Sequence, residues 1–125
     1  MYSAADLSGA DLRSAFLKGV DLSGPITGAN LSGADLRNAD LEHANLSKVT
    51  LKNANLREAN LNGTIISGVD LSGADTSDVK GLIAEQLRSQ ASSLKGTTMP
   101  NGQKYEEWIK GKEGRTEDGK NGSSS

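Results

Sequence analysis

The sequence predicts an all-β solenoid, on three observations. A five-residue repeat runs almost unbroken from Ala5 to Asp78; within each unit three adjacent slots read small, polar, large; and no straight helix or flat strand keeps such a repeat on one face. The units are ADLSG, ADLRS, AFLKG, VDLS and GPITG, then from Ala29 ANLSG, ADLRN, ADLEH, ANLSK, VTLKN, ANLRE, ANLNG, TIISG, VDLSG and ADTSD. Fifteen units of five need 75 residues and the segment supplies 74, so the count reads as one residue missing near Gly24.

The large slot holds Leu in twelve of the fifteen units, with Ile26, Ile66 and Thr76 in the others, so it is the inward, core-forming position. The small slot holds Ala in ten, which lets walls approach closely, and the slot between holds Asp or Asn in eleven, with Phe16, Pro25, Thr50 and Ile65 as exceptions. A step of five residues advances about 140° beyond one helical turn, so the leucines would smear around a helix. In a continuous strand an odd repeat would flip every second leucine to the opposite face. Three extended residues followed by a two-residue corner satisfy the pattern: small and large point in, Asp or Asn points out, and the corner restores the phase. Gly9, Gly19, Gly28, Gly33, Gly63, Gly68 and Gly73 close units where a corner calls for positive φ, and Asn38 and Asn53 tolerate it.

The A-(D/N)-L-x-x tandem, which covers about sixty per cent of the chain, resembles the pentapeptide-repeat family. That resemblance implies a right-handed quadrilateral β-helix with four units per coil. On this basis residues 1–80 form just under four coils, a stub about 18 Å tall at the spacing of hydrogen-bonded strands. Uninterrupted four-unit counting places Leu7, Ile26, Leu46 and Ile66 in one inward column and Leu12, Leu31, Leu51 and Leu71 in the next. Leu17, Leu36, Leu56 and Thr76 make the third column and Leu22, Leu41 and Leu61 the fourth, with Tyr2 above Leu22. The same counting puts Ser8, Thr27, Ser47 and Ser67 in one outward ladder, and Asp21, Asp40 and Glu42 on another side. A candidate interaction strip for an acidic partner follows from it: Lys18, Arg37 and Arg57 in one column, with Phe16 as an apolar anchor at its top. Pro25, which has no N–H to donate, predicts a kink or bulge beside Gly24.

Beyond Asp78, Leu82, Ile83, Leu87, Ala91 and Leu94 recur at helical spacing, so residues 81–96 read as a C-terminal α-helical cap, its core near 82–95. Gly96 is its stop. Residues 97–110 follow as a short turn with an apolar cluster of Tyr105, Trp108 and Ile109, and residues 111–125 as a polar, disordered tail. The run IAEQLRSQASSLKGTTMPNGQKY resembles tails of cyanobacterial and plastid members of the family, in which a helix caps the last coil. Ile83 departs from the Thr those tails often carry at the helix start, which predicts fraying there.

Composition sets the functional expectations. A net charge of −2, and ten acids against seven bases over residues 1–80, argue against direct nucleic-acid binding. The chain has no cysteine, and no secretory leader or membrane-spanning run is evident, so a soluble cytoplasmic protein is the default expectation. GRTEDGK at 114–120 matches a phosphate loop only until Asn121 stands where Ser or Thr is needed. His43 is the one histidine, read as a corner residue without metal or catalytic partners, and the recurring Asp and Asn are repeat chemistry. No catalytic residue, metal site or cofactor is therefore assigned. The expected function is a non-catalytic interaction module or scaffold for an unidentified protein partner, a monomer or weak dimer. The resemblance offers an alternative, since some members of the family mimic duplex DNA and bind or inhibit type II topoisomerases such as gyrase.

Overall fold

In a computed structural model the structure describes residues 5–23 and 28–112. Each unit behaves as one short side of a square coil. Its polar-slot residue bridges in parallel to the equivalent residue one coil on, giving four series: Asp6–Asn30–Thr50–Asp70, Asp11–Asp35–Asn55–Asp75, Phe16–Asp40–Asn60–Lys80, and Asp21–Asn45–Ile65. We call these the first to fourth sides. A side contributes one bridged residue, so none is long enough for a regular strand. The corner is a tight turn: Leu7 C=O accepts Ala10 N–H at 3.1 Å, and the motif recurs at Leu12, Leu17, Leu31 and onward. Gly9 at φ 69° and Ser14 at φ 58° take the left-handed conformation at the second corner position, the type II pattern.

The coil register differs from uninterrupted counting. Asp6 pairs with Asn30, 24 residues on, whereas Asn30 pairs with Thr50, 20 on. The chain therefore holds four extra residues between the first two coils instead of lacking one. The cause is the hydrogen-bond demand on the polar slot, whose N–H donates to the coil before it, as Asn30 N–H does to Ala5 C=O at 2.8 Å. Pro25 occupies that slot in the unit 24–28 and has no N–H to give, so this unit cannot build wall. Instead the corner that normally spans two residues is closed by Ala29 N–H to Leu22 C=O at 2.8 Å, across Ser23–Gly28. The expected kink at Gly24 and Pro25, like the placement of Tyr2, Ile26 and Thr27, lies outside the described residues.

Removing residues 24–27 joins Ser23 to Gly28 and leaves VDLSG-ANLSG, an unbroken repeat. The deletion variant is expected to fold and to gain about 1 kcal/mol from the shorter loop closure, readable as a raised urea midpoint. A variant less stable than the parent would show that the insert supports the stack.

The inward columns are thus Leu7/Leu31/Leu51/Leu71, Leu12/Leu36/Leu56/Thr76, Leu17/Leu41/Leu61 and Leu22/Leu46/Ile66, with the first coil displaced by one side from the counted register. Burial is nearly complete from the second coil onward and partial in the first. Polar atoms that enter the core are satisfied: Thr64 Oγ1 donates to Leu41 C=O at 2.8 Å and Thr76 Oγ1 to Thr98 C=O at 2.6 Å.

The end of the stack also differs from the helix read over 82–95. Helix α1 spans only Ala84–Gln90 and stands beneath the fourth side, where Gly68 N–H donates to Gln90 C=O at 2.8 Å. Leu82 and Leu87 bury against the last leucines, leaving a void of about 10 Å³ that is too small and apolar to hold water. Ser92–Gly96 and Thr97–Asn101 then return to the wall as two further pentads, with Ser93 bridged to Asp70 and Thr98 to Asp75. Leu94 and Met99 are their inward centres. Helical spacing drew in Leu94 because it falls seven residues after Leu87, and Ser92 and Thr97 hid the small slot. Thr97 is tolerated there because its hydroxyl donates to Leu71 C=O at 2.6 Å.

The chain finally doubles back. Lys104 bridges antiparallel to Thr98, and a second helical run, α2, covers 105–112 where the expected turn and apolar cluster become a hairpin and helix. Tyr105 and Trp108 pack on the core, and Lys112 of α2 pairs with Glu85 of α1. The tail from 113 on lies outside the described residues.

At the start of α1, Ile83 has no side-chain oxygen to cap the helix, but Gln86 Oε1 accepts the Ile83 N–H at 2.9 Å, which limits the expected fraying. Since Ile83 is 62% exposed, Ile83→Thr gives up little burial and adds a cap. It should raise stability by about 1 kcal/mol, checked by thermal melting; an unchanged or lowered midpoint would count against a cap at this position.

Candidate interaction face

The outward surface is built by one repeated bond. All eleven Asp and Asn residues of the polar slot accept the backbone N–H two residues on, at 2.9–3.3 Å. This Asx turn holds the corner, and it explains why the slot is Asp or Asn and not merely polar. Phe16, Thr50 and Ile65 stand in the same slot without such a bond.

Five of these carboxylates, Asp6, Asp11, Asp21, Asp35 and Asp70, are accordingly held in their charged form. The Ser8 hydroxyl and N–H lower the Asp6 carboxyl, and Ser23 does the same to Asp21. The Arg13 side chain, with its N–H, holds Asp11 down to about 2, and Arg37 lowers Asp35. Burial pushes Asp70 up, but Ser72 and Lys52 outweigh it and bring the group below its ordinary value. For depressed carboxyl pKa values the sign is definite: their stabilisation is complete above the unfolded value of about 3.9 and is lost as pH falls through the folded values. The melting temperature should stay level from pH 7 to about 5 and fall between about 4 and 2. A midpoint that rises over that acid range would contradict this.

The corrected register redistributes the strip of Phe16, Lys18, Arg37 and Arg57. Arg37 and Arg57 do share a column on the second side, but the residue above them is Arg13, not Lys18. Phe16 and Lys18 belong to the third side, across the corner formed by Ser14, Asn38 and Glu58. Lys18 stands above Glu42, with Nζ to Oε1 at 3.3 Å, and Asp21 lies above Asn45 rather than beside Asp40. Ser8 likewise stacks over Ser32, Lys52 and Ser72, not over Thr27, Ser47 and Ser67. A signal for this was present: ADLR at 10–13 recurs at 34–37, 24 residues on.

Down the second side the arginines differ in charge balance. Arg13 forks onto Asp11 at 2.9 and 2.8 Å and approaches Asp35 at 3.8 Å. Arg37 forks onto Asp35 at 2.9 and 2.7 Å. Arg57 follows Asn55, whose amide oxygen takes only the backbone N–H, so the Arg57 guanidinium makes no ion pair among the described residues. A shallow polar hollow lined by Asp11, Arg13, Ser14, Arg37 and Asn38 opens on this corner. Next to it the Phe16 side chain is 91% exposed. His43 is an exposed corner residue at φ 60°, above Gly63. Among the described residues no group of three His, Cys, Asp or Glu is placed to hold a metal, and no helix is long and apolar enough to cross a membrane.

Comparison with known proteins gives one family. The profile described as pentapeptide repeats matches in eight copies, over residues 3–24, 26–63 and 39–75. Among solved structures the chain is similar to alr5209, a pentapeptide repeat protein from Nostoc Pcc 7120, with 35% identity over 61% of this chain and 68% of that one, TM-score 0.42. It is similar to a pentapeptide repeat protein of the Arabidopsis thaliana thylakoid lumen, with 23% identity over 75% of this chain and 61% of that one, TM-score 0.42. It is also similar to HetL from Nostoc, involved in heterocyst differentiation regulation, with 32% identity over 78% of this chain and 52% of that one, TM-score 0.39. No curated protein matches the sequence.

Proposed function

Because the chain belongs to the pentapeptide-repeat family, we propose that it is a non-catalytic protein-interaction module that engages its partner across the corner between the second and third sides. The observation that carries this reading is Phe16. It stands 91% exposed in a slot where eleven units place Asp or Asn, and it forgoes the turn hydrogen bond those residues make. Such a residue costs the fold something and returns no burial to it, which suits an aromatic anchor for a partner. Two coils down, about 10 Å along the wall, Arg57 supplies a cation without a carboxylate of its own. The complementary partner offers an apolar pocket for Phe16 and an acidic group for Arg57.

The wall favours this use because its backbone is bonded coil to coil, so little freedom is lost on docking. The Asp6, Asp11, Asp21, Asp35 and Asp70 carboxylates support a non-catalytic reading: they are committed as acceptors and held ionised, the reverse of a general acid tuned near neutrality. A DNA mimic has less support, since Arg13, Lys18 and Arg37 each sit against a carboxylate and break up any continuous negative column.

The test is affinity capture from the source cells with the parent chain and with a Phe16→Ala/Arg57→Glu variant, both confirmed as folded by thermal melting. Loss of a specific partner from the variant is the expected result. Retention of every partner by the variant would overturn the assignment of this corner.

A further inference from the structure

The sequence holds three Asn-Gly pairs: Asn62-Gly63 at a wall corner, Asn101-Gly102 in the C-terminal hairpin, and Asn121-Gly122 outside the described residues. In such a pair the glycine nitrogen reaches the preceding side-chain amide most readily, because no Cβ restricts it. What the backbone does with that nitrogen therefore decides the chemistry. At the wall corners the second residue donates its N–H to a carbonyl of the coil below, as Gly33 does to Lys52 at 2.7 Å, Asn38 to Arg57 at 3.1 Å and His43 to Asn62 at 2.9 Å. From Gly9 to Asp78 the exception is Gly63, whose N–H makes no hydrogen bond among the described residues. The cause is the exit of the chain, which leaves the third side at Gly81 after Lys80, so the next coil supplies no carbonyl there. The Asn62–Gly63 peptide is held on one side only, by His43 N–H at Asn62 C=O, where the Ser32–Gly33 peptide is held on both.

Two side chains complete the corner. The Asn62 carboxamide donates from Nδ2 to Asn60 Oδ1 at 2.7 Å. The His43 imidazole covers Gly63 from the coil above: a Cβ on Gly63 would stand 2.4 Å from Nδ1 and 2.7 Å from Cε1. A Cβ lies about 2.5 Å from its own nitrogen, so Nδ1 stands within about 5 Å of the Gly63 nitrogen, one water away. At Asn101-Gly102 the opposite holds. Gly102 N–H donates to Met99 C=O at 2.8 Å, and Gln103 engages both polar atoms of the Asn101 amide, at 2.8 and 2.9 Å.

We propose that Asn62-Gly63 is a self-modification site, at which the folded chain converts Asn62 to aspartate and isoaspartate with the His43 imidazole as proton carrier. The Gly63 nitrogen attacks Asn62 Cγ, the N–Cγ bond forms and the Cγ–Nδ2 bond breaks. The Gly63 proton passes through water and His43 to the departing nitrogen, which leaves as ammonia. Imidazole suits this relay because it takes up and returns protons near neutral pH. Water then opens the five-membered imide. Cleavage at Cγ leaves aspartate, and cleavage at the α-carbonyl leaves isoaspartate, with the main chain rerouted through the former side chain. The event is one change to the chain's own backbone and turns over no substrate, and it does not rest on the docking corner proposed above.

The position gives the reaction a structural consequence. Gly81 packs so closely that a Cβ on it would stand 2.5 Å from Asn62 Cα. Isoaspartate lengthens the main chain by one atom at this contact, where there is no room for it. Aspartate adds no atom, but its charge comes to stand beneath Glu42 on the third side, and like charges stacked on a wall repel. Both products weaken the join between the third side and α1, so conversion loosens the C-terminal cap.

The test ages the 125-residue chain at neutral pH and body temperature and reads each Asn-Gly pair by peptide mass spectrometry, with isoaspartate separated from aspartate by chromatography. Asn62 is expected to convert at least about tenfold faster than Asn101. His43→Asn keeps a residue tolerant of positive φ at this exposed corner and should slow the conversion at least about threefold. The aged parent should melt below the fresh one, whereas Asn62→Gln, whose longer side chain closes the larger ring far more slowly, should keep its midpoint. An Asn62 that stays intact, or that converts no faster than Asn101 as it would through global unfolding, overturns the proposal. A folded His43→Asn variant that ages at the parent rate overturns the role of His43, and an aged Asn62→Gln that loses as much midpoint as the parent overturns the link to the cap. The comparison of Asn62 with Asn101 is made within the parent chain, so it decides the proposal even if neither variant folds.

Discussion

Leu51→Ala is expected to cost about 2–5 kcal/mol, a large part of what a domain of this size holds in reserve. Leu51 lies midway down the first inward column, between Leu31 above and Leu71 below, and is 2% exposed. Removing its side chain leaves a hole that neither neighbour can fill, because both are pinned by ladder bonds: Leu31 N–H to Thr50 C=O at 2.8 Å and Leu71 N–H to Ser93 C=O at 3.0 Å. A solenoid has no second layer to slide inward, so relaxation is limited and the cavity term stays high. Leu7→Ala in the same column is the control. Leu7 is only partly buried in the first coil, so its loss should cost distinctly less in urea denaturation. Equal costs at the two positions would mean that the coils do not stack as described.

Gly81→Ala is expected to cost about 2–4 kcal/mol, from two sources. Gly81 has φ 89°, where an L side chain is strained by about 1–2 kcal/mol. A Cβ there would also stand 2.5 Å from Asn62 Cα and 2.6 Å from Asn62 N, and backbone atoms cannot step aside as a side-chain tip can. This is the point where the chain leaves the third side after Lys80 and turns toward α1, so the close approach brings the cap onto the core. Gly9→Ala separates the two sources, since Gly9 has φ 69° but open space around its would-be Cβ. It should show the conformational cost alone, about 1–2 kcal/mol. If Gly81→Ala melts no lower than Gly9→Ala, the contact with Asn62 is not what requires glycine.

The units were legible because a five-residue period with Leu at its centre admits one local solution: three extended residues and a corner. The eleven Asp and Asn residues were visible as well, but their reason was not, since the bond from Oδ1 to the N–H two residues on is a corner geometry and not a composition. The corner glycines and asparagines at positive φ were likewise readable, except that Gly28, expected among them, does not adopt positive φ where it closes the irregular corner, while Ser14, Lys48 and Glu58 take that conformation without a local preference for it, because the coils they stack with impose it. Ser92–Asn101 went unrecognised as wall because Ser and Thr in the small slot look polar; the acceptors that make them tolerable, Val69 C=O and Leu71 C=O, are 23 and 26 residues away.

For the candidate face, Phe16, Lys18, Arg37 and Arg57 could each be named as outward residues, but their grouping could not. It depends on whether the unit carrying Pro25 occupies a side, and that is decided by a hydrogen bond between coils. Once this unit is passed over, Arg13 replaces Lys18 in the column and Phe16 moves round the corner. The sequence by itself determined what the described sides up to Asp78 are made of, because inward and outward are set within five residues. Which sides stand above one another, and hence which charges meet, only the tertiary structure decided, because a parallel ladder pairs residues 20 to 24 apart and a single missing N–H shifts all of them at once.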